Sequence, residues 1–185
     1  MVNGRLEGVL VYPDKMWQRF TIAPGVTLDT WVTPSLSISI ADENGQKRYL
    51  PAEDGDEAIK SIRTDPVWVV QHMGQPGYSL TVAGSEQVGT YSTRILEVSA
   101  VGAENRWNVE PQSGHIVRSA AQRMGSDGLA EEITGYANWR SFGGYVQPVN
   151  LQTTRRGVLV RSGQLLTFEL NPTIDDKIWQ LPPGY

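Results

Sequence analysis

Turn-forming residues punctuate this chain at short intervals over almost its whole length, and that punctuation rules out an architecture of long helices. The 19 glycines and 11 prolines are spread from end to end. Between them, apolar and polar residues alternate with the period of a half-buried strand. Arg5-Leu6-Glu7-Gly8-Val9-Leu10-Val11 reads as a first strand, closed by Tyr12-Pro13-Asp14-Lys15. Residues 17–22 follow, with Trp17, Arg19 and Thr21 on one face and Gln18, Phe20 and Ile22 on the other. Pro24-Gly25 is a turn signal. Residues 28–32 and 36–41 make two more strands. In the second of these, Leu36, Ile38 and Ile40 alternate with serines.

The period changes over residues 51–72. An acidic opening (Glu53, Asp54, Asp56, Glu57) leads into Ala58, Ile59 and Ile62. Asp54 or Asp56 suits a helix N-cap, and carboxylates in a first turn suit the helix dipole. Asp65-Pro66 restarts the segment, with Pro66 at a favourable first helical position. The expectation is two short helices, or one broken at Pro66, packed on a sheet.

Strand patterning returns after Gly74. Residues 78–86, 90–99, 105–109, 116–123 and 131–140 are candidates. The turns between them are Val88-Gly89, Gly102-Ala103, Ser113-Gly114 and Ser126-Asp127-Gly128. At the end, 149–156 and 158–160 are expected to meet 165–170 across Ser162-Gly163. The chain thus reads as one domain, 1–185, of mainly β (α+β) class. One curved antiparallel sheet would carry the helical insert, about 51–72, on its concave face and bury its apolar side there.

Composition excludes several functions. Net charge is −4 and no long basic patch exists, so the footprint of a nucleic-acid binder is missing. Arg155, Arg156 and Arg161 form the densest basic cluster and read as a solvated strand edge. Without cysteine there is no disulfide, thiolate nucleophile or Cys-based zinc site. No run approaches the roughly 20 apolar residues that span a bilayer. Met1-Val2-Asn3-Gly4 enters strand-like sequence with no signal peptide. Either the protein is cytoplasmic or it is an exported chain whose leader has been trimmed, and a start that reads like mid-protein sequence favours the second.

No catalytic spacing stands out. His72 and His115 lie far apart and outside HExxH or HxxEH, and no G-x-S-x-G occurs. Gly143-Gly144 reads as a turn, and Asp175-Asp176 as a cap for Lys177-Ile178-Trp179. Spacing alone leaves a glycosidase-type carboxylate pair open. No cofactor or metal is expected. The aromatic residues are more suggestive: Trp17, Trp31, Trp68, Trp107, Trp139 and Phe168 either pack a core or line a concave apolar pocket for a ligand.

The C-terminal third carries a resemblance. Trp139-Arg140-Ser141-Phe142-Gly143-Gly144-Tyr145-Val146-Gln147-Pro148 is followed by the Gly163 hairpin. Then come Asn171-Pro172, Asp175-Asp176 and Trp179-Gln180-Leu181-Pro182. This resembles the closing segment of the LolA/LolB-like outer-membrane lipoprotein-sorting superfamily, with Trp179 where Phe is usual. Tyr12-Pro13-Asp14-Lys15, Thr64-Asp65-Pro66 and the turn over 108–114, with Glu110 in place of Asp, are similar to other family turns in the same order. The resemblance implies an antiparallel half-barrel with a helical lid, no enzymatic activity, and a periplasmic cavity that binds lipid or lipoprotein acyl chains in transport. Similar domains are attached to periplasmic insulinase-type zinc proteases. An alternative is therefore an accessory domain of a larger exported protein or protease, with no small ligand.

Overall fold

The computed structural model describes residues 3–51 and 55–181. Glu53 and Asp54, two of the acidic residues opening the insert, lie outside these. The chain is mainly β, with twelve strands and two short helices among the described residues. It forms two compact units, Met1–Trp68 with Pro172–Tyr185 and Val69–Asn171.

The first unit holds a five-stranded antiparallel meander: β1 (Arg5–Val11), β2 (Lys15–Ala23), β3 (Val26–Thr33), β4 (Leu36–Glu43) and β5 (Gln46–Pro51). The sequence reading missed β5. Its signal was Asn44-Gly45, where both residues take positive φ (55° and 88°), as a two-residue hairpin turn of matching twist requires.

The insert folds as expected into α1 (Gly55–Arg63) and α2 (Pro66–Gln71). Asp56 and Glu57 occupy the first turn of α1. Asp65 caps α2, its Oδ1 accepting from the Val67 amide at 2.9 Å. Helix α1 packs on β2 and β3. Its opening residue presses so closely on β4 that a Cβ on Gly55 would lie 2.0 Å from Ser37 Oγ.

The opposite face of that sheet receives the C-terminal segment. Trp31, Ile38 and Ile40 form a buried cluster, against which Trp17, Leu36, Trp179 and Leu181 pack. The Trp31 indole Nε1 donates to the Ile178 carbonyl at 2.7 Å and fixes the segment in place. Asp175 caps the 3-10 turn Asp176–Trp179, as its position before Lys177 suggested.

The second unit holds a seven-stranded antiparallel sheet. Its strands are β6 (Tyr78–Val88), β7 (Tyr91–Ala100), β8 (Ala103–Val109), β9 (Ile116–Gly125), β10 (Gly128–Phe142), β11 (Tyr145–Arg155) and β12 (Val158–Gln164). Val69, Val98, Ala100 and Trp107 form its core. The one continuous sheet anticipated from the sequence is thus two. Pairing stops between β5 and β6, where the helices intervene in the chain.

The last hairpin also differs from expectation. Its turn is Arg156-Gly157, not Ser162-Gly163, which lie inside β12. Arg156 and Gly157 both hold positive φ (50° and 77°), the geometry a tight hairpin needs. Residues 165–169 leave the ladder after one further bond, from the Leu165 amide to the Val149 carbonyl at 2.7 Å. Arg155 is no solvated edge either. It reaches Asp127 at 2.7 Å and Glu132 at 3.1 Å, and its side chain is nearly covered. A long side chain buries its stem when carboxylates on a neighbouring turn and strand meet its head.

Candidate functional site

The five-stranded sheet offers two faces, and strand parity sorts the residues on each. On the α1 side, register aligns Leu6 with Phe20, Leu28 and Ala41 across four strands. A second row joins Leu10, Met16, Val32 and Ser37. Gly8, Gln18, Thr30 and Ser39 lie between the rows, with Thr30 and Ser39 hydroxyls 2.9 Å apart. Helix α1 buries Val32 but leaves much of this face open. Leu6 is 55 % and Leu10 40 % exposed, and Ile22, at the neighbouring bulge, is 46 % exposed. Single exposed leucines need no explanation, whereas rows of them on one face mark a place where something apolar docks.

On the other face the C-terminal segment leaves an open groove of about 890 Å³. Trp17, Trp31, Ile40, Ile178 and Leu181 supply its apolar lining. Its charged lining is Arg19, Asp29, Asp42, Lys47 and Lys177. Arg19 forks onto Asp29 through Nε at 2.6 Å and Nη2 at 2.8 Å. That hydrogen bonding raises the guanidinium pKa above its ordinary value, against the opposing pull of desolvation. The same guanidinium lies 5.6 Å from the Trp17 ring centre.

The six aromatic residues singled out from sequence are divided between the two units, Trp17, Trp31 and Trp68 in the first and Trp107, Trp139 and Phe168 in the second. Trp17 and Trp31 share the groove. Trp68 stacks on Tyr12, with ring centres 5.3 Å apart. Trp107 is a core residue of the second unit. Trp139 stacks on His115 at 4.1 Å, and Phe168 sits half-buried in the irregular stretch after β12. Leu6, Leu10 and Lys47 were not singled out. Alternation in β1 places Leu6, Gly8 and Leu10 on one face, which is the signal that would have found the first two.

The turns that carried the resemblance have structural work. Tyr12 donates to Asp65 Oδ1 at 2.6 Å, so the β1–β2 turn and the start of α2 are joined. Burial raises the Asp65 carboxyl above its usual pKa, while hydrogen bonds from Tyr12 and from the Val67 and Trp68 amides pull it back. Burial first, then the Asp65 charge, raise the Tyr12 phenol as well. Glu110 closes its turn as an Asp would, accepting from the Gln112 amide at 3.0 Å and the Ser113 amide at 2.8 Å. The Ser113 side chain, and after it these two amide bonds, lower its pKa.

His72 is placed beside Tyr78, its ring 5.3 Å from the phenol ring. Among the described residues, no three histidine or carboxylate side chains gather as a metal site. Nor is any helix there long and apolar enough to cross a membrane.

No family model and no curated protein matches the chain. Solved structures do. A DUF1329 family protein from Desulfovibrio piger aligns over 90 % of this chain and 75 % of its own, with a TM-score of 0.52 at 10 % identity. At that identity the likeness is one of fold alone. An outer membrane lipoprotein-sorting protein domain from Vibrio parahaemolyticus covers 91 % of this chain and 79 % of its own, with a TM-score of 0.49 at 10 % identity. A LolA superfamily protein from Nitrosomonas europaea covers 95 % and 87 %, with a TM-score of 0.41 at 11 % identity.

Proposed function

We propose that this chain is a non-enzymatic binding module for an apolar ligand, such as a lipid or the acyl chain of a lipoprotein, working in the periplasm. The observation that carries this reading is the half-covered apolar face beside α1, where Leu6 and Leu10 stay open next to Phe20, Leu28 and Met16. Removing an alkyl chain from water contributes about 0.8 kcal/mol per buried methylene, with no precise polar code needed. A helix lying on only part of a sheet leaves room for such a chain along the rows.

The test is displacement of a fluorescent fatty-acid probe by palmitate, in the native chain and in a Leu6→Glu/Leu10→Glu variant. The native chain should bind in the micromolar range or tighter, and the variant should lose about tenfold or more, since two carboxylates would have to be desolvated against the ligand. Equal binding by both would place the ligand elsewhere.

A second reading, an accessory domain without a small ligand, has its own observation. Val158, Leu159 and Val160 are consecutive, exposed and on the outermost strand of the seven-stranded sheet. Exposed apolar edge strands pair with other chains. That reading expects no bound lipid, and loss of partner capture in a Leu159→Lys variant.

A further inference from the structure

The groove on the sheet face away from α1 holds charges that are unequally engaged. Asp29 gives both carboxylate oxygens to Arg19. Asp42 accepts from the Gly45 amide at 2.8 Å. Lys47 and Lys177, by contrast, pair with no carboxylate among the described residues. They reach the groove from separate segments, Lys47 from β5 and Lys177 from the 3-10 turn of the C-terminal segment. Arg19, Lys47 and Lys177 thus outnumber Asp29 and Asp42, which faces Lys47 across the ladder, and the lining holds an excess of positive charge beside its apolar residues in a chain whose net charge is −4.

Two ammonium groups outside any ion pair among the described residues, lining one groove with Trp17 and Trp31, suit a ligand with one anionic end and one apolar end. A neutral apolar molecule would leave the lysines unused. An inorganic anion would leave Trp17 and Leu181 unused. We propose that this groove binds an amphiphilic anion, a carboxylate or phosphate monoester on an alkyl chain, with its headgroup at Lys47 and Lys177. The chain then lies against Trp17 and Leu181. This site is separate from the face beside α1, because the two lie on opposite sides of the same sheet. Occupancy would also hold the C-terminal segment down, since Lys177 sits next to Ile178, whose carbonyl takes the Trp31 indole.

Amide hydrogen exchange on the full chain tests this, because it reports where a ligand binds. The readout is protection of residues 176–181 and 46–49 on titration with dodecanoate, dodecyl phosphate, dodecanol and inorganic phosphate in separate arms. Both alkyl anions should protect these residues, and the tighter of the two identifies the headgroup. Dodecanol and inorganic phosphate should each need about tenfold more ligand for half-maximal protection, the weight of a charge-assisted contact or of a buried alkyl chain. Lys47→Gln/Lys177→Gln should cost the alkyl anions about tenfold as well, and 0.5 M salt should weaken them through screening. Protection by dodecanol equal to that by the anions would overturn the proposal. So would unchanged protection in the double variant, or protection confined to β1 and α1.

Discussion

The two sheets share one design, an antiparallel meander of neighbouring strands, yet they finish their surfaces differently. The seven-stranded sheet builds a packed core at its β6–β9 end, while Met124, Leu129, Tyr145, Val146 and the β12 residues Val158, Leu159 and Val160 stay exposed. Val69, Val98, Ala100 and Trp107 fill one side, with Leu80, Leu96, Val109 and Ile116 packed around them. Its polar side carries a joined network. Asn108 donates to Thr93 at 3.0 Å and to Glu86 at 3.2 Å, and accepts from Arg118 Nε at 3.0 Å. Arg118 in turn pairs with Glu86. The five-stranded sheet is finished on neither face. Helix α1 covers part of one, the C-terminal segment covers part of the other, and apolar rows and a groove remain open. A protein that only had to be stable would cover those rows. Leaving them open costs stability and solubility, a cost that the proposed apolar ligand would offset.

The comparison can be broken most forcefully in the second unit. Asn108→Leu fits a wholly buried position by size but removes the donor to Thr93 and Glu86 and the acceptor of Arg118 Nε, leaving Thr93 its bond to the Glu86 carbonyl and Arg118 its Glu86 carboxylate. The expected loss is about 2–4 kcal/mol, from the three hydrogen bonds of the Asn108 side chain removed from the network. Urea unfolding measures it. A loss below about 0.5 kcal/mol, the usual range for a surface site, would mean the network is not what closes this face.

In the first unit the sharpest steric test is Gly55→Ala. Its new methyl would meet Ser37 Oγ at 2.0 Å and Ser37 Cβ at 2.5 Å. The helix must lift from β4, at a cost of about 1–3 kcal/mol that outweighs the gain in helix propensity. Adding Ser37→Gly should recover most of the loss, by thermal denaturation. If it does not, α1 is held differently from the account given above.

The smallest effect concerns pH. Burial raises the folded-state pKa of Asp65, so the folded chain holds this proton more tightly than the unfolded chain does. Stability from this group therefore grows as pH falls from neutral through the folded pKa towards the ordinary carboxylate value, and is lost as pH rises. Asp65→Asn keeps a good cap and an acceptor for Tyr12 but cannot titrate. It should match or exceed the native chain at neutral pH by less than about 1 kcal/mol, and the advantage should vanish on acidification. Parallel urea titrations at neutral and mildly acidic pH would show this.

Much of this architecture was legible because it is local chemistry. Alternation marked most strands, and Asp65-Pro66 marked the break between the helices. Asp175 announced its cap two residues ahead of the amide it accepts from. What failed was also local but ambiguous. Two hairpin signals, Arg156-Gly157 and Ser162-Gly163, stood close together, and only backbone twist decides between them. Strand β5 was hidden because its charged Lys47-Arg48 pair looks like loop. The site was less legible than the fold. Tryptophans are conspicuous in a sequence, but their size suits a core as well as a pocket, and Trp107 serves as core. The leucines of β1 are ordinary residues, and what distinguishes them is their exposure, 55 % at Leu6 and 40 % at Leu10.

The central claim is that the open apolar face holds a lipid. Native mass spectrometry of the protein purified without detergent from bacterial cells, directed to the periplasm, tests it most directly. The account predicts a population heavier than the chain by the mass of one or more acyl lipids, released on activation and absent in Leu6→Glu/Leu10→Glu. A single species at the mass of the bare chain, which also fails to take up added palmitate, would contradict it.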